Sequence, residues 1–291
     1  MDNGGRAFFS AEQTDRWAEV AHSARVNEYA LARLEAPVQF SPLWEASRFV
    51  PGYPVADWCR SFLSAAFDHL LLWADYAAPL KFLPDAQVVI RLRPVLTIAR
   101  AAMESAAQAV WVLSAETPRE TAVRHVRLLL WDLDEQQKAA TTAERKATIR
   151  DSRSAFLAFI EQDENDFKAP NYLDVIKGAA KWAADTATDA RLEDAAHVER
   201  IWRSCAGAAH GKRWPQDELM TTVKHDDGSE SVGPDPIAIT DALNIADALA
   251  AVGGLYLAQR SRRLDEFRSL QALALVAYGD LITPWDDAGD R

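Results

Sequence analysis

The sequence predicts an all-α fold, and three observations carry that prediction. Of the 291 residues, 49% are hydrophobic and 26% are charged, which is typical of a globular protein with its own core. Apolar residues recur at helical spacing over most of the chain, most regularly at intervals of four and three from Leu92 to Leu113. Only residues 219–232, around the Asp-Asp-Gly turn signal at 226–228, have the pattern of a β-hairpin. We therefore expect a helical bundle with one small hairpin insertion.

Prolines and cap residues set the predicted element boundaries in the first half of the chain. Ser10-x-x-Gln13 is a capping-box pattern that starts a helix. Pro94 lies near the start of another helix, which either begins or kinks there. The predicted elements are helices over 10–35, 57–76 and 86–113, with an extended, proline-rich connector over 37–54.

The second half of the chain is predicted in the same way. Thr117-Pro118 with Glu120 combines an N-cap, a proline in the first turn and an acid three residues after the cap. The Gly253-Gly254 pair predicts a close helix contact, and His125, in a charged stretch, is expected at the surface. The predicted helices cover 118–140, 143–163, 172–184, 191–209 and 235–267, the last continuing helically over 268–278.

No linker divides the chain into halves, so we expect a single all-α domain over residues 1–291. Within it we distinguish an N-terminal helical arm over 1–80, a core over 86–278 and a tail over 279–291.

Composition limits the classes of function. Lys and Arg number 32 against 43 Asp and Glu, and this net charge of −11 argues against a general nucleic-acid coat or a polybasic membrane binder. Two cysteines fit a reducing compartment. The longest apolar run, Ala248 to Ala258, is about half of the roughly 20 residues that a membrane span needs. We expect a cytoplasmic protein that does not bind membranes.

Known cofactor and metal motifs are missing from the sequence. It contains no glycine-rich phosphate loop, no G-x-S-x-G elbow and no C-x-x-C pair. Glu19-x-x-His22 and Asp194-x-x-His197 together match only part of a di-iron pattern. We therefore expect neither a metal site nor a cofactor.

The segment 201–214 carries the most informative set of residues. Arg203 and His210 are seven residues apart, which is almost two helical turns, so both emerge on one face. With Arg200, Lys212 and Arg213 they form a local basic patch in an acidic chain. Arginine binds phosphate oxygens, and histidine transfers protons near neutral pH. Arg203 and His210 together have the chemistry to cleave RNA without a metal.

Two structural interpretations stay open beside this chemistry. Residue types alone favour a simpler interpretation, in which His210 lies at a helix C-terminus capped by Gly211 and Arg203 is a surface or ion-pairing residue. Arg100 and Glu104, one turn apart on the long apolar helix, are either a solvated ion pair or a pair in which Glu104 orients Arg203.

Two segments in order resemble a known superfamily. Arg203-x6-His210 is similar to the R-x4-6-H signature of the HEPN superfamily (higher eukaryote and prokaryote nucleotide-binding). Residues 93–104, which contain Arg100-x3-Glu104, and residues 202–211 resemble two segments of a bacterial HEPN-like family of unknown function. The resemblance covers about residues 88–265.

The resemblance implies a core of four to five helices and a two-fold homodimer with a shared cleft. The resemblance implies that Arg203 and His210 are catalytic. The candidate orienting residues are Glu104, Arg100 and Ser204. The candidate phosphate-binding residues are Arg200, Lys212 and Arg213. One interpretation is a metal-independent endoribonuclease of toxin or phage-defence type. The other is a non-catalytic dimeric module that binds a nucleotide or a partner protein, and Ser204 favours it because active members often carry Asn, Asp or His there.

Overall fold

The computed structural model describes residues 11–77, 91–159, 167–187, 189–192, 194–224 and 227–279. It confirms the all-α prediction with one small hairpin. The elements are α1 (Ala11–Arg33), α2 (Pro42–Arg48), α3 (Val55–Ala77), α4 (Leu92–Leu113), α5 (Pro118–Ala139), α6 (Ala143–Phe159), α7 (Tyr172–Ala187), a 3₁₀ turn (Ala190–Leu192), α8 (Ala195–Ala209), α9 (Gln216–Leu219), β1 (Met220–Lys224), β2 (Glu230–Pro234), α10 (Pro236–Arg260) and α11 (Leu264–Gly279). Ser10, the end of the helix predicted over 143–163 and the predicted tail from 280 onward lie outside the described residues.

Helix starts follow the predicted caps. The Thr117 hydroxyl accepts a hydrogen bond from the Glu120 amide at 3.1 Å, so α5 begins at Pro118 as expected. Asp235 caps α10 by accepting from the Ile237 amide at 2.9 Å. Pro94 lies in the first turn of α4, where its missing N–H leaves no helical hydrogen bond unmade.

The connector predicted over 37–54 was wrong in part, because it contains α2. The Ser41 hydroxyl accepts from the Trp44 amide at 3.3 Å, and Pro42 occupies the first helical position. Proline is favourable there, so one of the prolines that predicted an extended connector starts a helix instead. The short helix buries Leu43 and Ala46.

The single helix predicted over 235–267 is two helices. Arg262 adopts a left-handed φ of 56°, and the Arg263 amide returns to the Ala258 carbonyl at 2.7 Å, which ends α10. The chain then turns into α11. No glycine marks this turn, so the apolar periodicity on both sides of it concealed the break.

Helix α10 packs against α1, α3 and α4 at the centre of the fold. A Cβ atom on Gly253 would lie 2.5 Å from Cδ2 of Leu63, which confirms the predicted close contact at the glycine pair. Trp17 of α1 and Trp73 of α3 belong to the same apolar core as α4 and α10. In length and hydropathy α10 matches a membrane-crossing helix, but 78% of its most apolar window is buried inside the fold. The burial is that of a core helix.

His125 does not lie at the surface, which corrects the sequence prediction. Its side chain is fully buried on α5, with Nε2 3.1 Å from the Tyr53 carbonyl oxygen and the Trp58 ring packed edge-on against it. Burial lowers the pKa of His125 to about 4, so the ring is neutral at pH 7. The error arose because the charged residues around it occupy the other faces of the helix.

The hairpin is joined to α8 by the loop 210–215 and the short helix α9. Strand β1 pairs antiparallel with β2, with Thr222 opposite Val232. The Asp235 amide donates to the Leu219 carbonyl at 2.9 Å, which closes the base of the hairpin and leads into α10.

Candidate functional site

Helix α8 is held at both ends by specific backbone contacts. The Asp194 carboxylate accepts from the amides of Ala196 and His197 at its start. At its end Gly211 has φ 69°, and its amide donates to the Ala208 carbonyl at 3.0 Å. The Lys212 amide donates to the Gly207 carbonyl at 2.9 Å, which completes a Schellman turn. His210 is therefore the C-cap residue of α8, as the helix-terminus interpretation expects.

The chain after this turn folds back onto α8 over Gly207. A Cβ atom there would lie 2.6 Å from Cγ of Pro215 and 3.0 Å from Cζ2 of Trp214. Only the absence of a side chain permits this approach. The loop 211–215 is therefore fixed against the last turns of α8, and His210 with it.

His210 meets Arg100 of α4. Nη1 of Arg100 lies 3.2 Å from Nε2 of His210, and the imidazole is exposed at the surface. Nε of Arg100 donates to Oε1 of Glu104 at 2.8 Å, and the Trp202 indole donates to the same oxygen at 3.0 Å. Glu104 thus holds a guanidinium on one helix and an indole on the other. We call Arg100, Glu104, Trp202 and His210 the α4–α8 cluster.

A hydrogen bond between Arg100 and His210 has only one possible direction. A guanidinium has only N–H donors, so Nε2 of His210 accepts from Nη1 of Arg100 in this contact. An imidazole nitrogen held in this way can act as a general base once a ligand displaces the hydrogen bond.

Arg203 is paired with Glu199 and not with Glu104, the partner that the sequence suggested. Its Nε and Nη2 contact Oε1 of Glu199 at 2.9 and 2.8 Å, one turn earlier on α8. Lys177 contacts the other oxygen of Glu199 at 2.9 Å. Hydrogen bonds from Lys177 and Arg203 lower the pKa of Glu199. Glu104 does not orient Arg203, since its carboxylate is engaged by Arg100 and Trp202.

The predicted basic patch is divided by ion pairs. Arg200 contacts Glu218 at 2.8 Å, and its other amino group lies 3.0 Å from Nδ1 of His197. Nε2 of His197 lies 3.2 Å from Asp241. Within the described part of the chain, Lys212 and Arg213 are exposed and have no carboxylate at ion-pair distance. These two residues, but not Arg200, therefore offer free positive charge.

Ser204, a predicted orienting residue, is fully buried on the packed side of α8. It is placed to affect helix packing rather than to touch a ligand.

Sequence reasoning missed two members of the site. Trp202 was read only as part of a motif, yet its indole anchors Glu104. Tyr172, at the start of α7, is 39% exposed and lies near enough for Glu104 and Arg100 to act on its pKa, which burial raises. No spacing in the sequence links residue 172 to α4 or α8, because the contact depends on how three helices cross.

No three His, Cys, Asp or Glu side chains that could hold a metal ion come together within residues 11–77, 91–159 and the later described segments. Asp194 and His197, considered for such a site, instead cap α8 and pair with Asp241.

Comparisons with known proteins add no relative. The chain matches no protein-family model, no curated protein and no solved structure. The likeness to HEPN proteins therefore stays a prediction that rests on residues 93–104 and 202–211.

Proposed function

We propose that the protein is a HEPN-like, metal-independent endoribonuclease that acts at the α4–α8 cluster, with His210 as the proton-transfer group. The observation that carries the proposal is the 3.2 Å contact between Arg100 and the exposed His210. It joins a phosphate-binding group to a proton acceptor at the surface, from two helices that share the apolar core.

The reaction follows from the properties of these groups. A phosphodiester bound by Arg100 displaces the Arg100–His210 hydrogen bond and leaves Nε2 free. Nε2 removes the proton of the 2′-hydroxyl, the 2′-oxygen bonds to phosphorus, and the bond from phosphorus to the 5′-oxygen breaks. Protonated His210 or water returns a proton to the 5′-oxygen. The products are a 2′,3′-cyclic phosphate and a 5′-hydroxyl, with no metal and no redox step.

Arginine stabilises the charge that develops on the phosphate oxygens. Arg100 is held in place for this task by Glu104 at 2.8 Å. Arg203, the arginine of the HEPN-like motif, is assigned to the same phosphate, but it must first exchange Glu199 for the ligand. Lys212 and Arg213 supply further phosphate contacts beside His210.

The test is cleavage of single-stranded RNA in EDTA by purified protein and by His210→Ala. We expect the variant to lose about 10²–10⁴-fold in rate, the usual contribution of a proton-transfer group. His197→Ala is the matched control, because it removes a histidine from the same helix. Equal rates for wild type and His210→Ala would contradict the proposal, as would a need for added metal.

A second candidate function is a non-catalytic module that binds a nucleotide or a partner protein at the same cleft. One observation favours it: Arg203 is already neutralised by Glu199, which Lys177 also holds. This candidate predicts RNA or nucleotide binding that depends on Arg100, without strand cleavage. Both candidates carry the expectation of a cytoplasmic homodimer, and light scattering on the purified protein tests the dimer.

A further inference from the structure

A pocket of about 400 Å³ lies beside the α4–α8 cluster. Its walls come from the start of α4, the loop after α8 and the hairpin, and we call it the hairpin pocket. Its apolar side chains include Pro94, Pro215, Leu219 and Met220. A volume of this size is in the range of small-molecule sites, which are mostly apolar with a few polar groups at the edge.

Three cations stand at the edge of the hairpin pocket. They are Arg91, Arg93 and Lys212, all exposed. Among residues that the structure describes, no carboxylate forms an ion pair with any of them, whereas Arg200 and Arg203 on α8 are both paired. In a chain of net charge −11, three free cations around an apolar pocket favour a ligand that is apolar and anionic at once.

The hairpin pocket and the proposed reaction site are built from the same two parts of the chain, helix α4 and the end of α8 with the turn that follows it. Lys212 follows His210 by two residues, and Arg93 precedes Arg100 by seven on α4. Seven residues of helix span about 10 Å and bring both arginines to the same face. A single chain of phosphates can therefore contact Arg93, Arg100 and Lys212 together.

We infer that the hairpin pocket holds an unpaired base of single-stranded RNA, next to the phosphate bound at Arg100. A base in a duplex is stacked and paired and cannot enter it, whereas an unstacked base brings an apolar face and an adjacent phosphate. The walls are apolar, so recognition tolerates any base. The inference rests on the proposed function and specifies its substrate as unpaired RNA.

The experiment uses an RNA octamer with 2′-O-methyl groups, which lacks the attacking hydroxyl and cannot be cleaved. Fluorescence anisotropy compares its affinity as a single strand with its affinity in a duplex. We expect the single strand to bind about tenfold more tightly or better, the scale of contacts to an unstacked base. Equal affinities for the two forms would overturn the inference.

Met220→Trp fills the pocket and should abolish the preference for the single strand. Thr222→Trp is its control, since Thr222 is exposed on the same strand outside the pocket lining. A second variant combines Arg93→Ala with Lys212→Ala, which removes two cations from the pocket without changing the packing. Its control combines Arg145→Ala with Arg150→Ala, which removes two exposed cations of α6. If Met220→Trp still prefers the single strand to the duplex, the pocket inference is wrong. It is also wrong if both double variants lose the same affinity for the single strand.

The two proposals fail in different ways. If cleavage depends on His210 but binding shows no preference for the single strand, the nuclease proposal stands and the pocket inference is wrong. If Met220→Trp abolishes the preference for the single strand but ordinary RNA is not cleaved, the pocket inference stands and the nuclease proposal is wrong.

Discussion

Helix α8 and the turn that ends it carry similar residues in very different states. Within the helix, His197, Arg200 and Arg203 are each paired with a carboxylate, those of Asp241, Glu218 and Glu199. At its end, His210 contacts a cation, and Lys212 and Arg213 have no acidic partner among the described residues. Residue type does not decide which of these groups can bind an anion. The position of nearby acids decides it: Glu199 lies one turn earlier on α8, Glu218 lies on α9 and Asp241 on α10.

The largest effect is expected from removing one arginine from each side of this comparison: Arg100, which contacts His210 at the end of α8, and Arg203, which is paired within the helix. Arg100→Ala should lower the rate of RNA cleavage about 10²–10³-fold, as removal of a group that stabilises transition-state charge does. Arg203→Ala should cost far less, because Glu199 already occupies that guanidinium. Single-turnover cleavage assays on both variants measure the difference. The reverse order would show that Arg203, and not Arg100, makes the main contact to the phosphate, and it would contradict the comparison.

The next largest effect is a loss of stability at low pH, which limits the pH range in which the variants can be compared. The folded pKa of His125 is about 4 against an ordinary 6.5, so the unfolded chain takes up a proton between these values and the folded protein does not. Stability should therefore fall as pH drops from 6.5 toward 4, by on the order of 3 kcal/mol.

Urea unfolding at pH 7 and pH 5 measures this loss. Burial and Arg25 also lower the pKa of His22, so the wild-type slope contains both histidines. His125→Gln isolates the larger one, because glutamine can still donate to the Tyr53 carbonyl but does not titrate. If the unfolding free energy of His125→Gln falls with pH as steeply as that of the wild type, the loss of stability comes from another group.

A smaller effect tests whether the end of α8 is built by close packing. Gly207→Ala places a methyl group 2.6 Å from Pro215, so we expect a loss of about 1–3 kcal/mol in unfolding free energy. Gly178→Ala is the matched control, since its new methyl would meet Trp111 at an ordinary 3.5 Å. Alanine should stabilise α7 there by about 0.5–1 kcal/mol. A similar change in urea midpoint for both would contradict the packing argument.

The smallest effect comes from releasing the paired cations. Glu199→Gln frees Arg203 and should raise affinity for uncleavable single-stranded RNA about two- to fivefold, as expected for an exposed ion pair. Glu218→Gln frees Arg200, toward the start of the helix, and removes the same charge. A larger gain for Glu199→Gln in anisotropy titrations places the RNA on the His210 side. Equal gains would show only a general effect of net charge.

The sequence predicted the fold well because its signals are local. The apolar stripe of α4 and the cap at Thr117 act within a few residues and correctly predicted α4 and α5, and Asp235 correctly predicted where α10 starts. The errors arose where a local signal has two meanings. The prolines over 37–54 predicted an extended connector although Pro42 starts α2, and no glycine marks the turn at Arg262 that ends α10.

The site was predictable only in its parts. Spacing alone brought His210 and Arg203 to one face of α8, and Arg100 and Glu104 to one face of α4. It could not show that Arg100 is the arginine that His210 meets, because that contact joins residues 110 positions apart. Nor could it show that Glu199 would neutralise Arg203, since any of several acids was within reach.

The Schellman turn at Gly211 has a consequence for how this surface can change over time. The same few residues end the helix, present His210, carry Lys212 and, through Pro215, build a wall of the neighbouring pocket. A mutation that lengthens α8 by one turn would rotate the imidazole away from Arg100 and open the pocket in the same step. The position of His210 and the shape of the pocket are thus inherited together, and a change in one also changes the other.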